Sequence, residues 1–186
     1  ESKILAGGQT LIPTMKQRLA SPSTLIDISD INELNFINDN GDTITIGATT
    51  THNEVLSSEI VKSKIPSLAA LAEGIGDPHV RNMGTIGGSI SNNDPTADYP
   101  TACLSLKAKI KTNKKEISAE DFFVGLFETA LEENEIVISI EFSVPQKASY
   151  MKFPNPASRY AMAGVYISVC DDGVNVSVTG ASENGV

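Results

Sequence analysis

Residues 2–19 read SKILAGGQTLIPTMKQRL and predict a strand, a glycine turn and a helix, in that order. The strand-like run leads directly into Gly7 and Gly8, and residues 11–19 carry helical spacing. Adjacent glycines allow positive φ and remove every Cβ, so consecutive backbone amides can converge on an anion. The stretch therefore favours a phosphate cradle at a helix N-terminus, with a turn that serves only the fold as the alternative.

A second glycine pair stands in residues 84–89, which read Gly-Thr-Ile-Gly-Gly-Ser. Neither loop has the Gly-Lys-Ser/Thr of a triphosphate-binding loop or the G-x-G-x-x-G spacing of a Rossmann turn. Two separate cradles suit a diphosphate bridge better than a single phosphate, because each supplies charge-assisted hydrogen bonds. The two loops together favour a dinucleotide ligand.

Composition excludes several classes of protein. The 186 residues include 23 acidic and 14 basic side chains, a formal net charge of -9, with no run of Lys or Arg. That balance argues against nucleic-acid binding, which needs clustered cations. The longest nearly apolar stretch, residues 161–170, is half of the roughly 20 residues that a membrane span requires, so no transmembrane segment is predicted.

The two cysteines, Cys103 and Cys170, stand far apart and belong to no Cys/His cluster. This spacing excludes a self-contained iron–sulfur or zinc site with about four ligands, so no metal site is predicted. A reducing cytoplasm is the expected compartment.

The rest of the chain predicts a mixed α and β fold. Thr51 and Glu54 form a capping box that starts a helix, and residues 66–73 predict another helix with Gly74 beyond it. Residues 74–100 are rich in Gly, Pro, Asn and Asp and predict a long loop. Further strands are predicted at residues 24–28, 43–47, 108–112 and 135–144, further helices at residues 102–106 and 119–131, and a hairpin at residues 161–179.

Within the predicted helix 119–131, Phe122, Phe123, Leu126 and Phe127 share a face and are expected in the core. The sequence changes character over residues 145–158, which suggests a second, smaller subdomain after that point. Both ends look cut, so we expect the chain to be a fragment of a longer subunit.

Several runs resemble one known family. They are ILAGGQTLIP at residues 4–13, IGATT at 46–50 and VRNMGTIGGS at 80–89, continuing to DYP at 98–100. These runs look like the FAD-binding medium subunit of molybdenum hydroxylases, whose members include aerobic carbon monoxide dehydrogenase and xanthine dehydrogenase. Residues 121–131 and the run KFPNPASRY at 152–160 look closest to the carbon monoxide dehydrogenase branch.

The resemblance implies an α+β fold, with a two-part FAD-binding domain of the vanillyl-alcohol-oxidase (PCMH) type followed by part of a smaller C-terminal α+β domain. It places the FAD-binding domain at residues 1–145, apparently without its N-terminal strand and helix. The start of the truncated C-terminal domain falls at residues 146–186.

Cofactor-binding residues follow from the resemblance, position by position. Residues of the two glycine loops are expected to hold the FAD pyrophosphate: Leu5, Ala6, Gly7, Gly8, Gln9, Thr10, Leu11 and Ile12 in the first, and Thr85, Ile86, Gly87, Gly88 and Ser89 in the second. Asp98 is expected to accept hydrogen bonds from the flavin side. Three further positions match the family less specifically. Ile75 and Val137 are expected as apolar residues beside the cofactor, and Lys152 as a lysine that approaches it.

Most of the other candidate polar residues have two possible roles. His79 is a candidate base or covalent flavin ligand, against a loop histidine with local hydrogen bonds, and His52 is expected only as a first-turn helix residue. Arg81 either neutralises charge on the cofactor or a partner, or pairs with Asp77. Tyr99 and Tyr160 either flank the isoalloxazine or are tyrosines with one hydrogen bond each.

The resemblance thus implies an electron-transfer flavoprotein subunit without catalytic residues of its own. In this family FAD receives electrons from [2Fe–2S] clusters in a small partner subunit and passes them to an external acceptor, while the molybdenum cofactor lies in a large partner subunit. The resemblance implies a dimer of heterotrimers. The alternatives are a self-sufficient flavin oxidoreductase, with His79 or Asp98 as base, and a noncatalytic nucleotide-binding or assembly module.

Overall fold

The computed structural model describes residues 2–181. Within that range the strands are β1 (Ser2–Leu5), β2 (Thr24–Asp27), β3 (Ile37–Asp39), β4 (Thr43–Gly47), β5 (Lys109–Thr112), β6 (Glu116–Ser118), β7 (Phe123–Gly125), β8 (Glu128–Thr129), β9 (Val137–Ser143), β10 (Lys147–Pro154), β11 (Ala161–Cys170) and β12 (Gly173–Thr179). The helices are α1 (Leu11–Lys16), α2 (His52–Ser57), α3 (Glu59–Lys64), α4 (Pro66–Glu73), α5 (Pro78–Met83), α6 (Ile86–Asn92), α7 (Tyr99–Ser105) and α8 (Ala119–Phe122), with a 3-10 turn at Asn32–Leu34. The α+β class is as predicted.

A small N-terminal part consists of β1, α1 and β2, with the two strands parallel. Helix α1 is shorter than the predicted residues 11–19. It ends because Arg18 takes up a left-handed conformation at φ 61°, and the amide of Leu19 turns back to the carbonyl of Thr14 at 3.0 Å. The predicted order of strand, glycine turn and helix is confirmed.

The larger part is built on a five-stranded sheet in the order β3-β4-β9-β5-β6, antiparallel throughout. Ile46, Ile110 and Ile140 on its three central strands have no exposed surface, and they share one apolar core with Leu68 of α4 and Ile90 of α6. Burying apolar residues of this size gives about 1.5–3 kcal/mol each. The helices therefore cover one face of this sheet.

The predicted capping box is present at the start of α2. Thr51 Oγ1 accepts from the Glu54 amide at 3.2 Å, and Glu54 Oε2 accepts from the Thr51 amide at 2.7 Å. This reciprocal pair satisfies two amides that the helix leaves unbonded. It fixes where α2 begins, and hence where its first residue, His52, points.

The prediction of a long loop over residues 74–100 is wrong, since this segment contains α5 and α6 and the start of α7. Each of the first two helices has a local cap. Asp77 Oδ1 accepts from the Val80 amide at 2.9 Å, and Thr85 Oγ1 accepts from the Gly88 amide at 3.1 Å. Side-chain caps of this type are worth about 1 kcal/mol, which helps to offset the glycines of α6, while Pro78 stands at the first position of α5, where proline is favoured.

The predicted helix over residues 119–131 is also wrong beyond Phe122. Helix α8 ends there, and β7 and β8 form a small antiparallel pair. Phe122 is fully buried as expected, whereas Leu126 and Phe127 at the turn are 53% and 57% exposed. The cause is long-range: Asn93 Nδ2 donates to the carbonyls of Gly125 and Glu128 at 2.8 and 2.9 Å, which holds the turn away from a helix.

The last three strands form a separate antiparallel sheet in the order β10-β11-β12. The predicted hairpin of residues 161–179 is confirmed as β11 and β12, while β10 was not predicted. The Tyr166 hydroxyl lies 2.6 Å from Ser67 Oγ of α4, and Ser105 Oγ of α7 donates to the Tyr166 carbonyl at 2.9 Å. The sheet is thus fixed to two helices of the larger part.

Among the helices of residues 2–181, none combines the length and the apolar character needed to cross a membrane.

Candidate functional site

One cavity of about 750 Å³ lies where the N-terminal part, the larger part and the C-terminal sheet meet. This volume falls within the 300–1,000 Å³ typical of sites for small molecules and cofactors. The predicted site residues line it with two exceptions. They are Leu5, Ala6, Gly7, Gly8, Gln9, Thr10, Leu11, Ile75, Thr85, Gly87, Gly88, Ser89, Asp98, Val137 and Lys152.

The two exceptions, Ile12 and Ile86, lie beside the cavity rather than on its wall. The Ile12 side chain packs over Gly8, because a Cβ added at Gly8 would come within 2.6 Å of Ile12 Cδ1. Ile86 has no exposed surface and belongs to the core, and its amide donates to the Thr50 carbonyl at 3.0 Å. Both residues support loops that line the cavity.

The first glycine loop has the features of an anion cradle. Gly8 takes up a left-handed conformation with φ 69°. Among the hydrogen bonds of residues 2–181, none uses the amide of Gly7, Gly8, Gln9 or Thr10 as donor. The Gln9 side chain turns back to the Gly7 carbonyl at 3.3 Å. Consecutive unused amides at a cavity wall are what a bound anion requires.

The second glycine loop differs from the prediction, since Gly87 and Gly88 are helical residues of α6. Its amides are already used within the chain. The Gly87 amide donates to the Ala48 carbonyl at 2.9 Å, and the amides of Gly88 and Ser89 donate to Thr85 Oγ1 and the Thr85 carbonyl at 3.1 and 3.0 Å. This loop therefore contributes the backbone of two glycines without side chains and the partial positive charge at the start of α6. Unlike the first loop, it does not offer a row of free amide donors.

Close packing explains why glycines stand in both loops. A Cβ added at Gly7 would lie 2.0 Å from the Met83 carbonyl oxygen and 2.8 Å from Gly84 Cα. A Cβ added at Gly87 would lie 2.6 Å from the Ala48 carbonyl oxygen. The backbone of the first loop thus lies directly against the turn that precedes the second loop, and the two loops form one continuous wall.

A buried charge cluster forms the wall on the side of the C-terminal sheet. Lys152 Nζ donates to Asp98 Oδ2 at 2.9 Å and to the Gly74 carbonyl at 3.1 Å, and the Tyr150 hydroxyl donates to Asp98 Oδ1. The side chains of Asp98 and Lys152 are only 6% and 8% exposed. Burial raises the pKa of Asp98, while Lys152 and Tyr150 act in the opposite direction. Both carboxylate oxygens of Asp98 therefore already accept hydrogen bonds from residues of β10.

Arg81 does not form the predicted ion pair with Asp77 within residues 2–181, although, after a hydrogen bond from a backbone amide, its charge helps to lower the pKa of Asp77. Its guanidinium Nη1 donates to the carbonyls of Glu73, Ile75 and Gly76 at 3.2, 3.0 and 3.3 Å. These carbonyls belong to the last residue of α4 and to the turn after it, where a cation is favoured by the helix dipole. Arg81 therefore shapes the turn that presents Ile75 to the cavity.

The remaining candidate residues differ in whether they reach the cavity. His79 is exposed and does not line the cavity, so it is badly placed as a base. Tyr99 is fully buried, and its hydroxyl has no partner among the described residues. Tyr160 lines the cavity and is 47% exposed. The Asp94 side chain stabilises a local turn, accepting from the Thr96 amide at 2.9 Å.

Sequence reasoning missed one prominent residue of the wall, His52. Its side chain lines the cavity, the whole residue is only 5% exposed, and Nδ1 is buried without a partner among residues 2–181. Burial, and then the positive charge of Arg81, lower its pKa to about 4. The sequence showed only a helix first-turn position, because the burial comes from Gly84 and Tyr99, which are distant in sequence.

Comparison with known proteins agrees with this geometry. Residues 1–146 match the family described as the FAD binding domain in molybdopterin dehydrogenase. The glyceraldehyde dehydrogenase medium chain of Sulfolobus acidocaldarius is 42% identical over 171 residues, which is 89% of this chain and 61% of the relative. The carbon monoxide dehydrogenase medium chain of Hydrogenophaga pseudoflava is 39% identical over 184 residues, which is 95% of this chain and 64% of the relative.

A solved structure gives the same result for the fold. The carbon monoxide dehydrogenase from Hydrogenophaga pseudoflava that lacks the Mo-pyranopterin moiety of its cofactor superposes with a TM-score of 0.93 at 36% identity. The match covers 100% of this chain and 69% of that one. This chain therefore spans somewhat under two thirds of the length of the two curated relatives.

Proposed function

The chain belongs to the family of FAD-binding domains in molybdopterin dehydrogenases, and on that premise we propose that it is the FAD-binding electron-transfer part of a molybdenum hydroxylase. The enzyme would be an oxidoreductase of the carbon monoxide dehydrogenase or xanthine dehydrogenase type. When bound, FAD supplies the one-electron and two-electron redox chemistry that side chains lack. The residues of this chain bind it, orient it and exclude water.

The observation that carries the proposal is the row of four unused amides, from Gly7 to Thr10, on the wall of the cavity. A diphosphate fits there because amide donors to a charged oxygen are worth about 1.5–3 kcal/mol each. The apolar residues Ile75 and Val137 line the same cavity and suit an aromatic ring system. The donors thus fit the diphosphate bridge of FAD, and the apolar surfaces fit its flavin ring system.

We propose specific roles for the residues around the ring. Lys152 and Asp98 would present one positive and one negative group to the polar edge of the flavin, held in place by their mutual hydrogen bond. Tyr150 would keep Asp98 oriented. Because this pair is buried, its charge acts with little solvent screening and would tune the potential of the bound cofactor.

The partners belong to the same proposal. Electrons would arrive from [2Fe–2S] clusters in a small subunit, the molybdenum cofactor would lie in a large subunit, and the assembly would be a dimer of heterotrimers. Within residues 2–181, no group of three or more His, Cys, Asp or Glu side chains is placed to hold a metal ion. Both cysteines are free thiols, so we propose a reducing compartment, the cytoplasm.

We also propose that the FAD-binding domain comprises residues 1–145 and that the next domain begins at residue 146, just before β10. Residues 182–186 of that next domain lie outside the described range.

The test of FAD binding is a titration of the chain with FAD, followed by flavin fluorescence and the visible spectrum. Gly7→Ala should abolish saturable binding, because its Cβ would lie 2.0 Å from the Met83 carbonyl oxygen and separate the two loops. Gly125→Ala is the matched control, since its Cβ would meet only Glu128 at 3.6 Å or more, which is ordinary contact. A folded chain that binds no FAD would instead leave a phosphate-binding or assembly module.

The role within a complex needs a second measurement. The flavin-loaded chain should be reduced rapidly only when the iron–sulfur and molybdenum subunits are added. Rapid reduction by a simple organic substrate without them would favour a self-sufficient flavin oxidoreductase and contradict the proposal.

A further inference from the structure

His52 is buried, whereas the other histidine, His79, is exposed. Its backbone amide donates to the Gly84 carbonyl at 2.9 Å, which anchors the start of α2 beneath the turn between α5 and α6. A Cβ added at Gly84 would lie 2.7 Å from His52 Nε2. The imidazole thus lies directly against the turn on which the Gly7 backbone packs.

The two ring nitrogens of His52 have different surroundings. Nδ1 is completely buried and has no hydrogen-bond partner within residues 2–181. Nε2 also makes no hydrogen bond to the described residues, but it is not among the fully buried atoms, and the side chain lines the cavity. The edge of the ring that carries Nε2 therefore faces the cavity.

The protonation state follows from these surroundings. Burial and the nearby Arg81 guanidinium lower the pKa of His52 to about 4, so at neutral pH the ring carries one N–H and one lone pair. The Tyr99 ring packs on it at a centroid distance of 5.4 Å. Nδ1 has no partner among the described residues in either tautomer. A hydrogen on Nε2 leaves a lone pair at Nδ1 and directs the N–H toward the cavity, whereas an N–H at Nδ1 would be a buried donor without an acceptor, a penalty of about 1–3 kcal/mol. The favoured tautomer has its hydrogen on Nε2.

We propose that His52 is a ligand-binding residue, which donates its Nε2–H to an anionic oxygen of the diphosphate held between the two glycine loops. This inference rests on the proposed function and extends its anion site. Nε2 adds a directed donor on the side of Gly84, where the amides of the second loop are already used. As a neutral donor, His52 adds recognition without the desolvation cost of burying a second cation beside Arg81.

Two substitutions test the proposal on the chain itself. His52→Leu removes the donor with little change in volume, and His52→Gln keeps a donor near the position of Nε2. The matched control is His79→Leu, the same change at the other histidine, which is exposed and outside the cavity. Affinity is measured for FAD, for ADP as a diphosphate without flavin, and for riboflavin as flavin without phosphate.

We expect His52→Leu to weaken FAD and ADP binding by about 10-fold to 100-fold, the value of one donor to a charged group. Riboflavin binding should not change, His52→Gln should restore most of the affinity, and His79→Leu should match the unsubstituted chain. Equal weakening of all three ligands would assign His52 a purely structural role and overturn the proposal. Unchanged affinity for ADP would overturn it as well.

A spectroscopic measurement keeps the proposal falsifiable if His52→Leu does not fold. In the unsubstituted chain, long-range ¹⁵N NMR correlations should show the hydrogen of His52 on Nε2, and the Nε2 shift should move on addition of ADP. A hydrogen on Nδ1, or an Nε2 shift that ADP leaves unchanged, would refute the inference. Failure of the unsubstituted chain to bind FAD would instead refute the proposed function, and the tautomer would still be measured.

Discussion

Mild acid should destabilise this chain in a way that includes a separable contribution from His52. The folded state holds its imidazole neutral, with the pKa lowered to about 4 by burial and by Arg81. The unfolded chain exposes the same ring to water, where its pKa is about 6.5. Between these two values the unfolded state binds a proton that the folded state does not, so stability falls as the pH falls through this window. Above about pH 6.5 the contribution of His52 is fully present.

The magnitude follows from the two pKa values. A tenfold change in proton concentration changes the free energy of unfolding by about 1.4 kcal/mol when one proton separates the two states. From pH 7.0 to pH 4.5 the linkage of His52 therefore removes about 2.5 kcal/mol. Since domains of this size are stable by about 5–15 kcal/mol, the loss is large enough to measure.

The assay is urea unfolding followed by far-ultraviolet circular dichroism at pH 7.0 and pH 4.5, for the chain and for His52→Gln. All other ionisable groups are the same in both proteins, including Asp98 with its raised pKa, so the difference between the two losses isolates His52. The unsubstituted chain should lose about 2.5 kcal/mol more than the variant. Equal losses would mean that His52 titrates normally in the folded state, and the argument from burial would be refuted.

Three further outcomes test the attachment of the C-terminal sheet. Lys152→Met should lower the free energy of unfolding at pH 7 by about 3–5 kcal/mol, because it leaves Asp98 buried without its cation. As the control, Lys62→Met removes an exposed ion pair and should cost under about 1 kcal/mol. Urea unfolding midpoints of the two variants give the comparison. Adding Asp98→Asn to Lys152→Met should recover part of the loss, and a strictly additive double-variant cycle would contradict direct coupling. Tyr166→Phe should cost about 1–3 kcal/mol, because the buried Ser67 hydroxyl loses its partner at 2.6 Å; an unchanged thermal midpoint would count against that bond.

The parts of the fold that were predicted correctly are encoded over a few neighbouring residues. The capping box of Thr51 and Glu54, the alternation in β4 and the Asp-Gly turn before β12 are all local signals. The two helices in the segment that was predicted as a loop, α5 and α6, also had local signals. Asp77 and Thr85 are good N-caps, but the glycines and prolines around them favoured a loop.

The hairpin of β7 and β8 had no such signal. The pattern of Phe122, Phe123 and Phe127 is helical by spacing, and a helix is excluded only by hydrogen bonds from Asn93, some thirty residues earlier in the chain. In the site, too, some features are visible in the local sequence and others depend on residues distant in the chain. The glycine loops were visible as sequence, whereas the engaged amides of the second loop depend on Ala48 and Thr50, which reach it only in the folded chain.

The N-terminal part has a dynamic consequence. Residues 2–27 contain no buried residue, so β1, α1 and β2 lack the apolar contacts that protect the core from opening. Segments of this kind exchange their amide hydrogens by local opening, far below the free energy of global unfolding. The first glycine loop is part of this segment. We therefore expect the residence time of a bound ligand to follow the opening rate of the N-terminal part, while the core stays closed.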